Sequence, residues 1–128
     1  MKFGKHISKD QVYVFGSSLS GIHKFNDIAR KATKYGARHG RSIGISGMSY
    51  AIPVRGFNNE ILSYELVEQY IDRFVKFSRE YKMITFFVNR VSGAKGEHTD
   101  KRIAELFKYC GDNCIFPEEW KPYLEHIK

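Results

Sequence analysis

Cysteine is scarce in this chain, with two among 128 residues. Cys110 and Cys114 flank Gly111-Asp112-Asn113, and a Cys-x-x-x-Cys pair without a second pair does not make a metal-ligand set. We read both as reduced thiols of a cytosolic protein, which excludes a disulfide scaffold. No apolar run approaches the roughly 18 residues that a membrane span needs. The start, Met-Lys-Phe-Gly-Lys-His, carries charge with no apolar segment behind it. No signal peptide and no membrane partner are therefore expected, and the chain reads as cytoplasmic. Named signatures are absent too. There is no Gly-x-Gly-x-x-Gly fingerprint and no Gly-Lys-Ser/Thr to close a P-loop. No His/Cys/Asp cluster has metal-ligand spacing, and nothing asks for a cofactor. No Ser/His/Asp arrangement can be argued without geometry.

Acidic residues are short in one half only. Residues 1–60 hold ten Lys/Arg against three Asp/Glu, whereas residues 61–128 hold eleven against eleven. The whole net charge of +7 therefore sits in the first half. Such asymmetry suggests an anionic partner there: a nucleotide, a polynucleotide or an acidic protein. The plainer reading is a solvated basic helix face, formed by Lys24, Arg30, Lys31 and Lys34.

What is present is a core. Hydrophobic residues make up 42%, with ten Phe and eight Tyr, which argues against disorder. The length suits one domain, residues 1–128, with a polar extension over 1–10 (Phe3 and Ile7 as edge packing) and a short C-terminal helix over 117–128. Val12–Phe15 reads as a strand buried on both faces. Helix one follows from about Ile22 to Tyr35, burying Phe25, Ile28, Ala29, Ala32 and Tyr35, and Gly36 sits where a left-handed cap belongs. A glycine-rich loop spans 38–49. Tyr50-Ala51-Ile52 reads as a short strand stopped by Pro53, and Arg55–Asn59 as a turn. Helix two starts at an N-cap Ser63 and repeats Leu66, Val67, Tyr70, Ile71, Phe74 and Val75. Met83–Val88 is a second buried strand. Helix three opens on Thr99 and Asp100, buries Ile103, Leu106 and Phe107, and stops at Gly111. Cys114–Phe116 is a last strand ended by Pro117, with Trp120 anchoring the tail. This alternation predicts a three-layer α/β domain with a mostly parallel or mixed sheet flanked by helices.

The first strand empties into Gly16, Ser17, Ser18, Ser20 and Gly21 before a helix. Backbone N–H groups and the helix dipole would point at one spot there, which suits a phosphate. An ordinary β-to-α turn is the competing reading. The second buried strand likewise empties into Asn89–His98, with Ser92, Gly93 and Gly96. In parallel sheets both loops open at the carboxyl edge, where ligands bind. His23 can contact a phosphate or act as acid or base, with Asp27 one turn on to orient it, and Glu97 beside His98 is the other candidate acid–base pair. Asp27 pairing with a helix-one cation, and Glu97 favouring a helix start, are the structural alternatives. Arg38, His39 and above all Arg41 supply charge in the glycine-rich loop near Gly47. Tyr50 and Phe57 can wall a base, or Tyr50 can pack in the core.

Here the residues carry a resemblance. Tyr13-Val14-Phe15-Gly16-Ser17, Ser20-Gly21-Ile22-His23, Ala29, Tyr35-Gly36-Ala37, Gly47, Ser49-Tyr50-Ala51-Ile52-Pro53, Phe116-Pro117 and Trp120 resemble a family of small bacterial and phage proteins. The family's pattern is Tyr-Val-Phe-Gly-Ser-Asn-Leu-Ser-Gly-x-His-Gly-x-Gly-Ala-Ala followed by Gly-x-Ser-Tyr-Ala-Ile-Pro. The order of elements is similar to that of macro domains, which bind ADP-ribose. The resemblance covers about residues 11–120 and implies a macro-domain-like fold. It implies a cleft for an ADP-ribose-like nucleotide or signalling dinucleotide between loops 16–23, 40–49 and 89–97. For a phage protein, acting in the host cytoplasm on nucleotide signalling or ADP-ribosylation is the natural extension.

The chain also departs from the family. Ser18 replaces the Asn, Lys24 and Asn26 replace glycines, Ile28 replaces an Ala, and the late loop keeps only Gly93 and Gly96. Each lost glycine adds a Cβ where backbone and phosphate would nearly touch. In macro-type hydrolases those residues hold the ribose and the attacking water, so binding is expected ahead of hydrolysis. Three functions stand in order: a nucleotide-binding module, a hydrolase of ADP-ribosyl or nucleotide bonds using His23, Asp27 or Glu97, and a nucleic-acid- or protein-binding module using the basic face of helix one. A homo-oligomer is the default for an aromatic-rich surface.

Overall fold

The computed structural model describes residues 1–23, 26–91 and 98–125. Six strands form one sheet: β1 (Lys2–Phe3), β2 (Gln11–Ser18), β3 (Gly44–Ser46), β4 (Ser49–Arg55), β5 (Thr85–Val88) and β6 (Cys114–Phe116). Their order is β1-β6-β5-β2-β4-β3. All neighbours are parallel except β3, which runs antiparallel to β4. The helices are α1 (Asp27–Ala32), α2 (Tyr64–Glu80), α3 (Asp100–Glu105) and α4 (Lys121–Leu124), with 3-10 turns at Thr33–Tyr35 and Glu118–Trp120. The predicted three-layer α/β architecture with a mixed sheet is what the chain adopts.

The layers follow from strand alternation. Val12 and Val14 point to one face of β2, where they join Ile71 and Phe74 of α2, Ile103 and Phe107, and Leu124 of α4. Tyr13 and Phe15 point to the other, where they meet Ala29 and Ala32 of α1. The first layer is aromatic at its centre. Phe74 is fully buried and packs edge-on to Tyr50, Phe86 and Phe107 at 5.0 to 5.9 Å, so truncating it to Ala would cost about 3–5 kcal/mol. The second layer is thin. Small alanines let α1 lie close to β2, and the Tyr13 hydroxyl donates to the Ile28 carbonyl at 2.8 Å. No helix among the described residues is long and apolar enough to cross a membrane.

Several boundaries differ from expectation. β2 does not stop at Phe15 but runs through Gly16, Ser17 and Ser18, which pair with Ile52, Pro53 and Arg55 of β4 across an irregularity. Pro53 does not end its strand either. β3 reaches only as far as Gly44 opposite Ala51, so residue 53 has no β3 partner to which an N–H would donate. Helix one begins at Asp27, not near Ile22, because the Asn26 side chain accepts from Ala29 N–H and caps it there. Gly36 closes this segment at φ +100°. α2 starts after Ser63, whose hydroxyl accepts from Leu66 N–H, and α3 after Thr99, both as the capping residues predict. Residues 2–3, read as polar extension, pair as an edge strand with β6.

Candidate functional site

The sheet order places a site before any side chain is considered. From β2 the chain turns toward β4 and β3 by way of α1, on one face. From β5 it turns toward β6 by way of α3, on the other face. Between adjacent parallel strands that depart in opposite directions, a crevice opens at the carboxyl ends. The chain has such a point between β2 and β5.

A cleft of about 460 Å³ lies at this edge, on the β5 side. Phe87 and Val88 of β5 form its base, and Asn89 and Arg90 follow directly into its wall. Ile28 of α1 closes one side, and Gly4, Lys5, Pro117, Glu118 and Glu119 close the other. Lys5 and Glu118 pair across the rim at 3.8 Å. Asn89 is tied down, its backbone N–H and its Nδ2 both donating to the Val14 carbonyl at 2.9 and 2.8 Å.

Arg90 is the most constrained cation of the cleft. Its Nε donates to both carboxylate oxygens of Asp100, at 3.0 and 3.1 Å, and Nη2 adds a further bond to Oδ2. The fully buried Trp120 donates from Nε1 to Asp100 Oδ1 at 2.9 Å. A guanidinium held by a bidentate carboxylate keeps a fixed fork of donors. The Asp100 carboxylate also raises the Arg90 pKa, so the guanidinium stays charged.

The glycine-serine loop after β2 behaves differently from expectation. Several of its donors are used inside the protein. Leu19 N–H bonds the Arg55 carbonyl, Gly21 N–H the Ser18 carbonyl, and His23 N–H reaches His39 Nδ1 at 3.2 Å. Ser17 Oγ donates to the Ser42 carbonyl, and the Ser18 and Ser20 hydroxyls bond each other, both at 2.5 Å. The glycines serve close approach of chain to chain. A Cβ on Gly21 would meet the Gly40 backbone at 2.7 Å, and one on Gly47 would meet Gly36 at 3.1 Å. Gly16 lies under Val54 and Val91. Loops 16–23 and 38–44 thus bind each other.

The remaining predicted residues separate. His23 is buried beneath Phe15, stacked with His39, with Nε2 against the Arg38 carbonyl at 2.7 Å. Burial lowers its pKa and holds it neutral. Asp27 is exposed and pairs with Arg30, not with His23. His98 bonds the Leu62 carbonyl against Tyr64. Arg41 is exposed. Tyr50 is a core residue between Phe74 and Phe77, and Phe57 projects into solvent from its turn. Ser92, Gly93, Gly96 and Glu97 lie outside the described residues. No group of three or more His, Cys, Asp and Glu placed to hold a metal occurs among the described residues. The residues that sequence reasoning missed are Lys5, Arg90, Glu118 and Glu119, together with the Asp100–Trp120 support. Arg90, Asp100 and Trp120 are ten and twenty residues apart and share no motif.

Compared with known proteins, the chain matches no family model, no curated protein and no solved structure.

Proposed function

We propose that this protein binds an ADP-ribose-like nucleotide or signalling dinucleotide at the carboxyl edge of its sheet, in a macro-domain-like manner. The observation that carries the reading is the cleft beside the β2/β5 switch point, walled by an arginine that the half-buried Asp100 carboxylate holds in place. Its volume falls within the range of small-molecule sites, about 300–1,000 Å³. The Arg90 N–H groups that Asp100 does not take suit a phosphate, Lys5 adds a second cation, and the carboxylates of Glu118 and Glu119 are placed to accept from ribose hydroxyls.

Binding stands ahead of hydrolysis in this proposal. His23 is buried away from the cleft with Nε2 engaged, and Asp27 is paired elsewhere. The bulk of the ligand contact moves from loops 16–23 and 40–49 to the segments at 4–5, 89–90 and 117–119. The test is thermal melting with ADP-ribose, NAD, ADP and cyclic dinucleotides, each on the native chain and on Arg90→Ala. A ligand at about 100 times its Kd adds roughly 2.7 kcal/mol, a shift of several degrees for a chain of this size. The reading requires such a shift in the native chain and its loss in Arg90→Ala. A flat panel overturns it.

A further inference from the structure

The opposite edge of the sheet carries a second cavity, of about 850 Å³. It lies where strands begin. Lys2 opens β1, Arg79 and Lys82 lead from α2 into β5, and Lys108 lies on the way from α3 to β6. All four line the cavity, against one carboxylate, Asp112. None of the four forms an ion pair with a described residue. Arg79 sits in the last turn of α2, where the helix dipole favours a cation, but that accounts for one charge of four. Like charges around one recess repel, and an anion with several charges that filled it would relieve that repulsion.

The aromatic residues at this edge narrow the choice. Tyr109 lines the cavity, is 66% exposed, and has Lys108 Nζ 5.2 Å from its ring centre. Tyr81 and Met83, on the adjoining turn, are also exposed. A compact phosphate would need the cations alone. Cations alternating with an exposed ring are what a single nucleic-acid strand uses, with phosphates along the basic groove and a base on the aromatic face. A duplex keeps its bases stacked and offers none to Tyr109. We infer that this amino-edge cavity is a binding site for single-stranded nucleic acid, with Lys2, Arg79, Lys82 and Lys108 on the phosphates and Tyr109 under a base. The site is separate from the nucleotide cleft and does not depend on it. It also differs from the basic face of helix one that the charge asymmetry pointed to.

The experiment is fluorescence anisotropy of a labelled single strand of about twelve nucleotides, as DNA and as RNA, within the site sizes such proteins use. With four phosphates neutralised, log K should fall against log salt with a slope of about −3, an affinity loss of about 50-fold from 50 to 200 mM salt. Tyr109→Ala should weaken binding at least about fivefold. Lys82→Glu with Lys108→Glu should weaken it further and flatten the salt slope, with melting temperature unchanged because both side chains are exposed. Lys31→Glu with Lys34→Glu, on the α1 side, should leave it intact. The inference is overturned if the strand does not bind, if Tyr109→Ala binds as the native chain does, if the helix-one variant is the one that fails, or if duplex DNA or polyglutamate competes as well as the single strand.

Discussion

Gly40 donates its N–H to the Gly21 carbonyl at 2.9 Å, and a Cβ on Gly21 would lie 2.7 Å from the Gly40 backbone. Two glycine loops that look in sequence like arms reaching for a ligand are instead closed on each other. Gly21 also sits at φ +72°. A left-handed conformation costs a non-glycine residue about 1–2 kcal/mol, and overpacking typically adds about 1–3. Gly21→Ala should therefore lose about 2–5 kcal/mol in denaturant unfolding. Gly40→Ala is the contrast, because at φ +90° a Cβ there meets nothing within 4 Å, leaving the conformational cost alone. Equal losses in the two variants would contradict the packing role.

Ser17 makes the same point through a hydrogen bond. Its buried hydroxyl donates to the Ser42 carbonyl at 2.5 Å. Ser17→Ala leaves that carbonyl without its partner and should cost about 1–3 kcal/mol. If the serine is structural, affinity for any nucleotide hit should stay within about twofold of native, a difference of about 0.4 kcal/mol in binding. A tenfold loss of affinity would return Ser17 to the ligand.

His23 makes stability depend on pH. Burial, the largest influence, lowers its pKa in the folded chain below the ordinary value of 6.5, against the raising effect of the Arg38 carbonyl. Below pH 6.5 the unfolded chain takes up a proton at this site that the folded chain resists. The contribution is therefore complete above that pH and is lost as pH falls toward the folded value. Urea midpoints measured from pH 7.5 down to 5 should fall in the native chain and fall less in His23→Gln. Parallel curves would show that the histidine is not the group responsible.

How far the sequence was legible depends on how local each cause is. Ser63, Thr99 and Gly36 each act within a few residues, and all three mark helix ends where the reading placed them. The period of Val67, Ile71, Phe74 and Val75 likewise defined α2 and its buried face. β1 and β3 were not legible, because two or three residues carry no period and exist only through β6 and β4. Asn26 does not stand out as a cap in sequence because the apolar spacing that begins at Phe25 carries the helical pattern across it. The site was least legible of all. Glycine freedom is visible in sequence, but whether it serves a ligand or a neighbouring loop is decided by a contact nineteen residues away, at Gly40. Charge summed over halves of the chain does not show how the charges cluster. The second half is neutral in total, yet supplies Arg79, Lys82 and Lys108 to one cavity.

Asp100 joins the core to the cleft and offers the sharpest separation of roles. Its Oδ1 accepts from Trp120 Nε1 at 2.9 Å, and the same carboxylate holds Arg90. Asp100→Asn keeps the shape and one acceptor but removes the charge and half of the fork. A hydrogen bond to a charged group contributes about 1.5–3 kcal/mol, so a loss of about 2 kcal/mol is expected in unfolding. Arg90→Ala should cost less, because its side chain is 39% exposed and its loss leaves Asp100 reachable by water. For binding the order should reverse. On the proposed reading, Arg90→Ala removes the phosphate donor itself, whereas Asp100→Asn only frees the guanidinium from its fixed direction. Isothermal titration of both variants with the best ligand from the melting panel, set beside their unfolding midpoints, checks the pair. If Asp100→Asn proves the worse binder and the milder destabiliser, Asp100 meets the ligand directly and the assignment of Arg90 is wrong.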